Sequence, residues 1–201
     1  MVRMTTRPSA RREELLDRAY RYALEHGLAD LSLRPLAAAI SSSPRVLIFL
    51  FGSKDGLVRE LLAKARADEL SYLERERAAG QNAASQHGLA EMVTAIWRWL
   101  AAEPVRPLLT LWTEAYGRSL TEPGGPWSGF ASRSVADWLE VLASAGPIGN
   151  AGPPAAEHAG ADRTLALAVL RGCMLDLLAT GDTERVNAAI ARYANLAGAD
   201  G

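Results

Sequence analysis

The residues best placed to do chemistry in this chain lie between Arg34 and Lys54. Three cations, Arg34, Arg45 and Lys54, surround an unbroken apolar run, Val46-Leu-Ile-Phe-Leu-Phe51. Guanidinium and ammonium groups beside apolar side chains suit recognition of an anionic partner that also offers apolar contacts. They do not suit bond cleavage. The groups that catalysis would need are missing. Cys173 is the only cysteine, and His26, His87 and His158 are scattered without ligand spacing. No paired carboxylates, Ser/His set or Cys/His set is evident, so the chain is expected not to be an enzyme and to need no cofactor.

Charge sharpens this expectation. Residues 1–66 hold 12 Arg/Lys and 7 Asp/Glu, a net of +5, and the remainder holds 10 and 16, a net of −6, giving the overall −1. A basic first third on an acidic remainder points to an anionic partner for the first third alone. The N-terminal stretch carries Arg3, Arg7, Arg11 and Arg12 without the apolar segment of a signal peptide, and no apolar stretch is long enough to span a bilayer. A cytoplasmic protein with no membrane partner is expected.

The elements that must position these residues read as helices. Ala and Leu dominate over Val and Ile, which favours an all-α fold. Ser9 can cap a first helix with Leu15, Ala19, Tyr22 and Ala23 at helical spacing, ended by Gly27. Ser32 can cap a short second helix with Leu33, Leu36, Ala37 and Ile40 on one face, and Pro35 falls in its first turn. Ser41, Ser42 and Ser43 interrupt the pattern as a tight turn. Ser43-Pro44 then reads as an N-cap with proline at the first helical position, so the apolar run is a third helix rather than a strand. Phe51-Gly52 closes it. Ser53 caps a fourth helix reaching about Gly80, with Asp55 in its first turn.

Beyond a polar loop at Gly80–Gly88, helices are expected over 89–103, 105–121 (interrupted at Pro107), 128–145, 162–180 and 183–197. Loops are expected at 122–126 and 146–160. In all, about nine or ten helices are expected.

Helices two and three, joined by a short turn and backed by helix one, form a helix-turn-helix. At about 100° per residue, Leu47, Leu50 and Phe51 share one side of helix three, and Arg45, Val46, Ile48 and Phe49 spread over the other. The second set cannot enter the same small core, so that face must bind something or be covered. In a major groove, Arg pairs with guanine and apolar groups meet thymine methyls.

The stretch from Ser32 to Val58 resembles the DNA-binding region of the TetR family of bacterial transcriptional regulators. Ser32, Leu36, Ala37, Leu47, Phe51, Ser53, Lys54 and Leu57 fall on its characteristic positions without gaps, as do Ala19 and Gly27 upstream. Three positions depart from it. Ser41 stands where Gly is usual in the turn, Ile48 replaces a Tyr that contacts phosphate, and Phe49 replaces a His- or Trp-like residue.

The resemblance implies a flexible Arg-rich arm (1–12), a helix-turn-helix DNA-binding domain (9–53), a connecting helix (54–80) and a helical ligand-binding and dimerisation domain (81–201). It implies that Arg34, Pro44, Arg45, Val46 and Phe49 face bases and that Ser42, Ser43 and Lys54 meet phosphates. It further implies a homodimeric repressor on a palindromic operator in double-stranded DNA, released by a small, largely apolar effector. Dimerisation would use the helices at 128–145 and 162–180. Met92, Trp97, Leu100, Leu109, Trp112, Tyr116, Trp138 and Arg171 would line the effector pocket, with Glu114, Arg118 and Asp176 as further polar groups. A transcriptional activator of the same fold, or a helical protein–protein adaptor using the Ile48/Phe49 face, are the alternatives.

Overall fold

The computed structural model describes residues 8–82, 88–122, 124–144 and 153–199. Nine α-helices and no strand occur among them: α1 (Pro8–His26), α2 (Leu33–Ala39), α3 (Pro44–Phe51), α4 (Lys54–Asn82), α5 (Leu89–Leu100), α6 (Arg106–Thr121), α7 (Phe130–Ala143), α8 (Pro153–Thr180) and α9 (Thr183–Ala199). Single 3-10 turns lie at Glu103–Val105 and Gly125–Trp127. The fold is all-α, with an N-terminal helix-turn-helix and a helical C-terminal region. Among the described residues no single helix is long and apolar enough to cross a membrane.

The chain divides into two compact units. One comprises Met1–Asp68 with Thr110–Ala131, and the other Glu69–Leu109 with Ser132–Gly201. The first is built on Leu15, Ala19 and Ala23 of α1, Leu36 and Ala37 of α2, Leu47 of α3 and Leu57 and Leu61 of α4, all fully buried. Burying each leucine stabilises by about 1.5–3 kcal/mol, so the unit holds together despite short α2 and α3. In the second unit α5 packs on α8 and α9, which also pack on each other. Val93, Ile96, Leu170, Leu177, Val186 and Ile190 fill that core.

Several boundaries differ from the sequence expectation. α1 starts at Pro8, so Ser9 lies inside its first turn rather than capping it. Of the Arg-rich arm, Pro8–Arg12 belong to α1, and residues 1–7 lie outside the described residues. Tyr20, not Tyr22, is buried with Leu15 and Ala19; Tyr22 stacks on His26 with ring centroids 4.1 Å apart. Pro107 does not interrupt α6, because it falls in the first turn, where no backbone donor is needed.

α8 begins at Pro153, so most of the segment expected as a loop to Gly160 is helical. Two prolines occupy its first turn and Ala155, Ala156, Glu157 and Ala159 follow, a composition that starts a helix as readily as it fills a loop. In the Gly80–Gly88 loop, α4 runs on to Asn82, Gly88 caps α5, and residues 83–87 lie outside the described residues.

Candidate nucleic-acid interface

Four residues join α2 to α3, and the helix direction changes by 102° between them. That is the angle of a helix-turn-helix. The α2 C-terminus closes in a Schellman motif, with Ser42 N–H donating to Ala37 O at 2.8 Å and Ser41 N–H to Ala38 O at 3.2 Å. The motif needs a left-handed residue, and Ser41 takes it at φ 55°, where glycine is the usual occupant. Arg18 of α1 donates to Ile40 O at 3.3 Å, satisfying a further carbonyl at this end. Ser43 then caps α3, its Oγ accepting from Val46 N–H at 3.3 Å. Ser32, at the start of α2, has the extended backbone of a cap but makes no side-chain capping bond.

Leu47 (1% exposed) and Phe51 (8%) fix α3 to the core, and Leu50 is half-buried beside them. Arg12 reinforces this from α1, its guanidinium 5.1 Å from the Phe51 ring centroid and 2.7 Å from Glu60. On the other side Val46 (38%), Ile48 (41%) and Phe49 (84%) are exposed, with Arg45 beside them. Arg34 on α2 and Lys54 at the start of α4 are exposed too, and none of Arg34, Arg45 or Lys54 has a hydrogen bond or ion pair among the described residues. Ser42, Ser43 and Pro44 are partly exposed; Ser42 Oγ is buried and makes no hydrogen bond.

The α3–α4 corner rests on two glycines. Gly52 ends α3 at φ 78°, its N–H bonded to Ile48 O at 2.8 Å. Gly56 donates to the Ser53 Oγ cap at 2.9 Å, and a Cβ there would stand 2.1 Å from Phe51 O. No side chain fits. Sequence reasoning passed over Gly56, though a glycine inside the first turn of a helix is a signal of close approach.

Geometry of this kind invites comparison with solved structures. No protein-family model and no curated protein matches the chain. Solved structures do. The multidrug binding protein EbrR complexed with imidazole is 22% identical over 92% of this chain and 89% of its own, with a TM-score of 0.65. The chain has the TetR-family fold. A putative TetR-family transcriptional regulator from Mesorhizobium loti MAFF303099 aligns over 97% of this chain and 96% of its own, at 18% identity and TM-score 0.64. A TetR transcription regulator from Haloarcula marismortui ATCC 43049 gives 18%, 94%, 98% and 0.62 for the same quantities.

Within the TetR fold the residues expected around an effector fall into both units. Trp112 and Tyr116 belong to the first unit, their rings stacked at 4.7 Å. Met92, Trp97, Leu100, Leu109, Trp138 and Arg171 belong to the second, all buried except the half-buried Arg171. Two of the indoles have their polar edge engaged internally. Trp97 Nε1 donates to Asn187 Oδ1 at 2.7 Å, and Trp138 Nε1 to the buried Glu69 Oε1 at 2.6 Å.

The further polar candidates are also engaged. Glu114 Oε2 accepts from Leu28 N–H at 2.9 Å, and Arg118 pairs with Glu122 at 2.9 Å and covers the Trp127 ring at 5.4 Å. Asp176 pairs with Arg185 at 2.7 Å on the exposed α8–α9 corner, and that bond holds its carboxyl below the usual carboxylate range. Burial, and next the Asp176 charge, push the Cys173 thiol up, the opposite of an activated nucleophile. Among the described residues no group of His, Cys, Asp and Glu could hold a metal ion.

Proposed function

We propose that the chain is a TetR-family transcriptional regulator that binds double-stranded DNA through α2 and α3. One observation carries this reading: α3 is held by Leu47 and Phe51 while Arg45, Val46 and Phe49 project outward, flanked by the exposed cations Arg34 and Lys54. Arg34, Pro44, Arg45, Val46 and Phe49 face base edges, and Ser43 and Lys54 meet phosphates, whereas the buried Ser42 Oγ is withdrawn from that role. The excess positive charge of residues 1–66 adds salt-dependent affinity.

The functional protein is a homodimer on a palindromic operator, because one short recognition helix makes too few contacts for specific affinity and two half-sites double them. The apolar stripe of Leu165, Ala168, Gly172 and Leu175 along exposed α8 supports a helix–helix interface there. The other helix expected at the interface, α7, offers less, since its exposed residues include Ser132, Arg133 and Glu140.

The regulator is a repressor released by a small, largely apolar effector bound in the region C-terminal to α4, which connects that region to the DNA-binding helices. EbrR, a similar structure complexed with imidazole or with proflavin, supports a small-molecule effector. The protein acts in the cytoplasm and carries out no catalysis. Gel-shift titration on the promoter DNA of its own or neighbouring genes tests the proposal. A salt-sensitive, sequence-specific shift that an apolar effector reverses upholds it; no such shift, with Arg45→Ala indistinguishable from the wild type, overturns it. Transcription that rises when the operator is occupied makes the protein an activator.

A further inference from the structure

Every outward residue of α3 except Arg45 is apolar, and their angular positions are informative. With Arg45 set at 0° and about 100° added per residue, Leu47 and Phe51 lie at roughly 200° and 240°. The direction opposite their midpoint is roughly 40°, and Phe49 stands there. Its 84% exposure agrees: the ring points straight away from the body of the unit. Arg45 at 0° and Val46 at roughly 100° flank it on one arc, and Ile48 lies roughly 60° to the other side of Arg45.

A helix docked in a major groove turns the middle of its outward arc to the groove floor and the arc's edges to the walls. The central side chain here is a phenyl ring, which can neither donate nor accept a hydrogen bond. Among the groups on the groove floor, only the thymine 5-methyl offers it an apolar surface. The neighbouring guanidinium of Arg45 matches the O6 and N7 acceptors of guanine. The exposed Lys54 at the start of α4 supplies a charge complement to phosphate.

Building on the DNA-binding reading above, we propose that this protein recognises its operator through thymine methyls gathered around Phe49. Each half-site then holds a guanine for Arg45 beside adjacent thymines contacted by Phe49 and Val46. Specificity rests on apolar shape at those steps instead of on hydrogen bonds. Phe49 is the specificity-determining residue.

The test uses the full-length protein and a duplex selected from random DNA. Thymines of the half-site are replaced one at a time by deoxyuridine, which removes the methyl and keeps the base pair. Loss of one buried methyl lowers affinity about fourfold, and the expected result is such a loss at two neighbouring thymines. Phe49→Ala, at an exposed site that does not hold the fold, weakens binding to the thymine duplex and removes the deoxyuridine penalty at one of the two thymines, leaving that of the Val46 contact.

Equal affinity for thymine and deoxyuridine at every position overturns the inference, as does a penalty that persists undiminished at both thymines in Phe49→Ala. Either outcome leaves the DNA-binding reading standing. Failure to enrich any sequence overturns both.

Discussion

The joint between α1 and α2 depends on one carboxylate from far along the chain, and removing it gives a measurable loss. α1 ends at His26, Gly27 turns into the left-handed region at φ 78°, and the next amide, Leu28 N–H, has no helical acceptor. Leu28 is fully buried, so water cannot serve either. Glu114 Oε2 accepts this hydrogen at 2.9 Å, while Oε1 is buried 4.0 Å from Arg118 Nε, beyond hydrogen-bond reach. Glu114→Ala strands a buried donor, which costs about 1–3 kcal/mol, and removes a bond to a charged group worth about 1.5–3 kcal/mol. These overlap, so a net loss of about 2 kcal/mol is expected. Glu114→Gln keeps an oxygen at the same reach and loses only the charge, for a cost under about 1 kcal/mol. Urea unfolding followed by circular dichroism reads both as shifts of midpoint at constant slope. A Glu114→Ala midpoint equal to wild type refutes the reasoning. So does a Glu114→Gln variant as unstable as Glu114→Ala, which would mean that the charge and not the acceptor matters.

Other outcomes follow from the same structure. Ser41→Gly relieves a left-handed L-residue that costs about 1–2 kcal/mol, less the entropy glycine adds to the unfolded chain, so thermal unfolding should rise by the equivalent of about 0.5–1 kcal/mol. Gly56→Ala sets a Cβ 2.1 Å from Phe51 O, where backbone must move; it should abolish the DNA shift in a protein whose α5–α8–α9 core still gives a helical spectrum. Asp176 is held below the usual carboxylate range by the Arg185 hydrogen bond, so the pair contributes above that range and the contribution fades as pH falls through the lowered value. Wild type should therefore melt above Asp176→Asn at neutral pH, and the two melting curves should converge in acid.

How legible all this was varies with the range of the interactions. The capped start of α3 was plain in Ser43-Pro44, because capping chemistry is local. The division of α3 into anchors and outward residues followed from helical period alone and matches the burial of Leu47 and Phe51 and the exposure of Phe49. Ser41 announced a difficulty, a non-glycine in a turn that wants φ above zero, and the backbone accepts the cost instead of avoiding the conformation. The α8 N-terminus was misread because prolines and small residues serve a first turn and a loop equally well. The Leu28–Glu114 bond, spanning 86 positions, left no mark in the sequence. Neither did the pairing of Trp138 with Glu69 or of Trp97 with Asn187, which engages indoles that composition alone offered to an effector.

The central claim is that α3 reads DNA as the recognition helix of a TetR-fold dimer. Equilibrium binding of the full-length protein to its selected operator, measured by fluorescence anisotropy against salt concentration, tests it most directly. The account predicts a steep fall of affinity with salt, a palindromic site whose half-sites lie about one helical turn apart, and a loss of about 5- to 150-fold for Arg45→Ala with relaxed preference at one base pair. Binding that is absent, or insensitive to sequence and unchanged by Arg45→Ala, would contradict it.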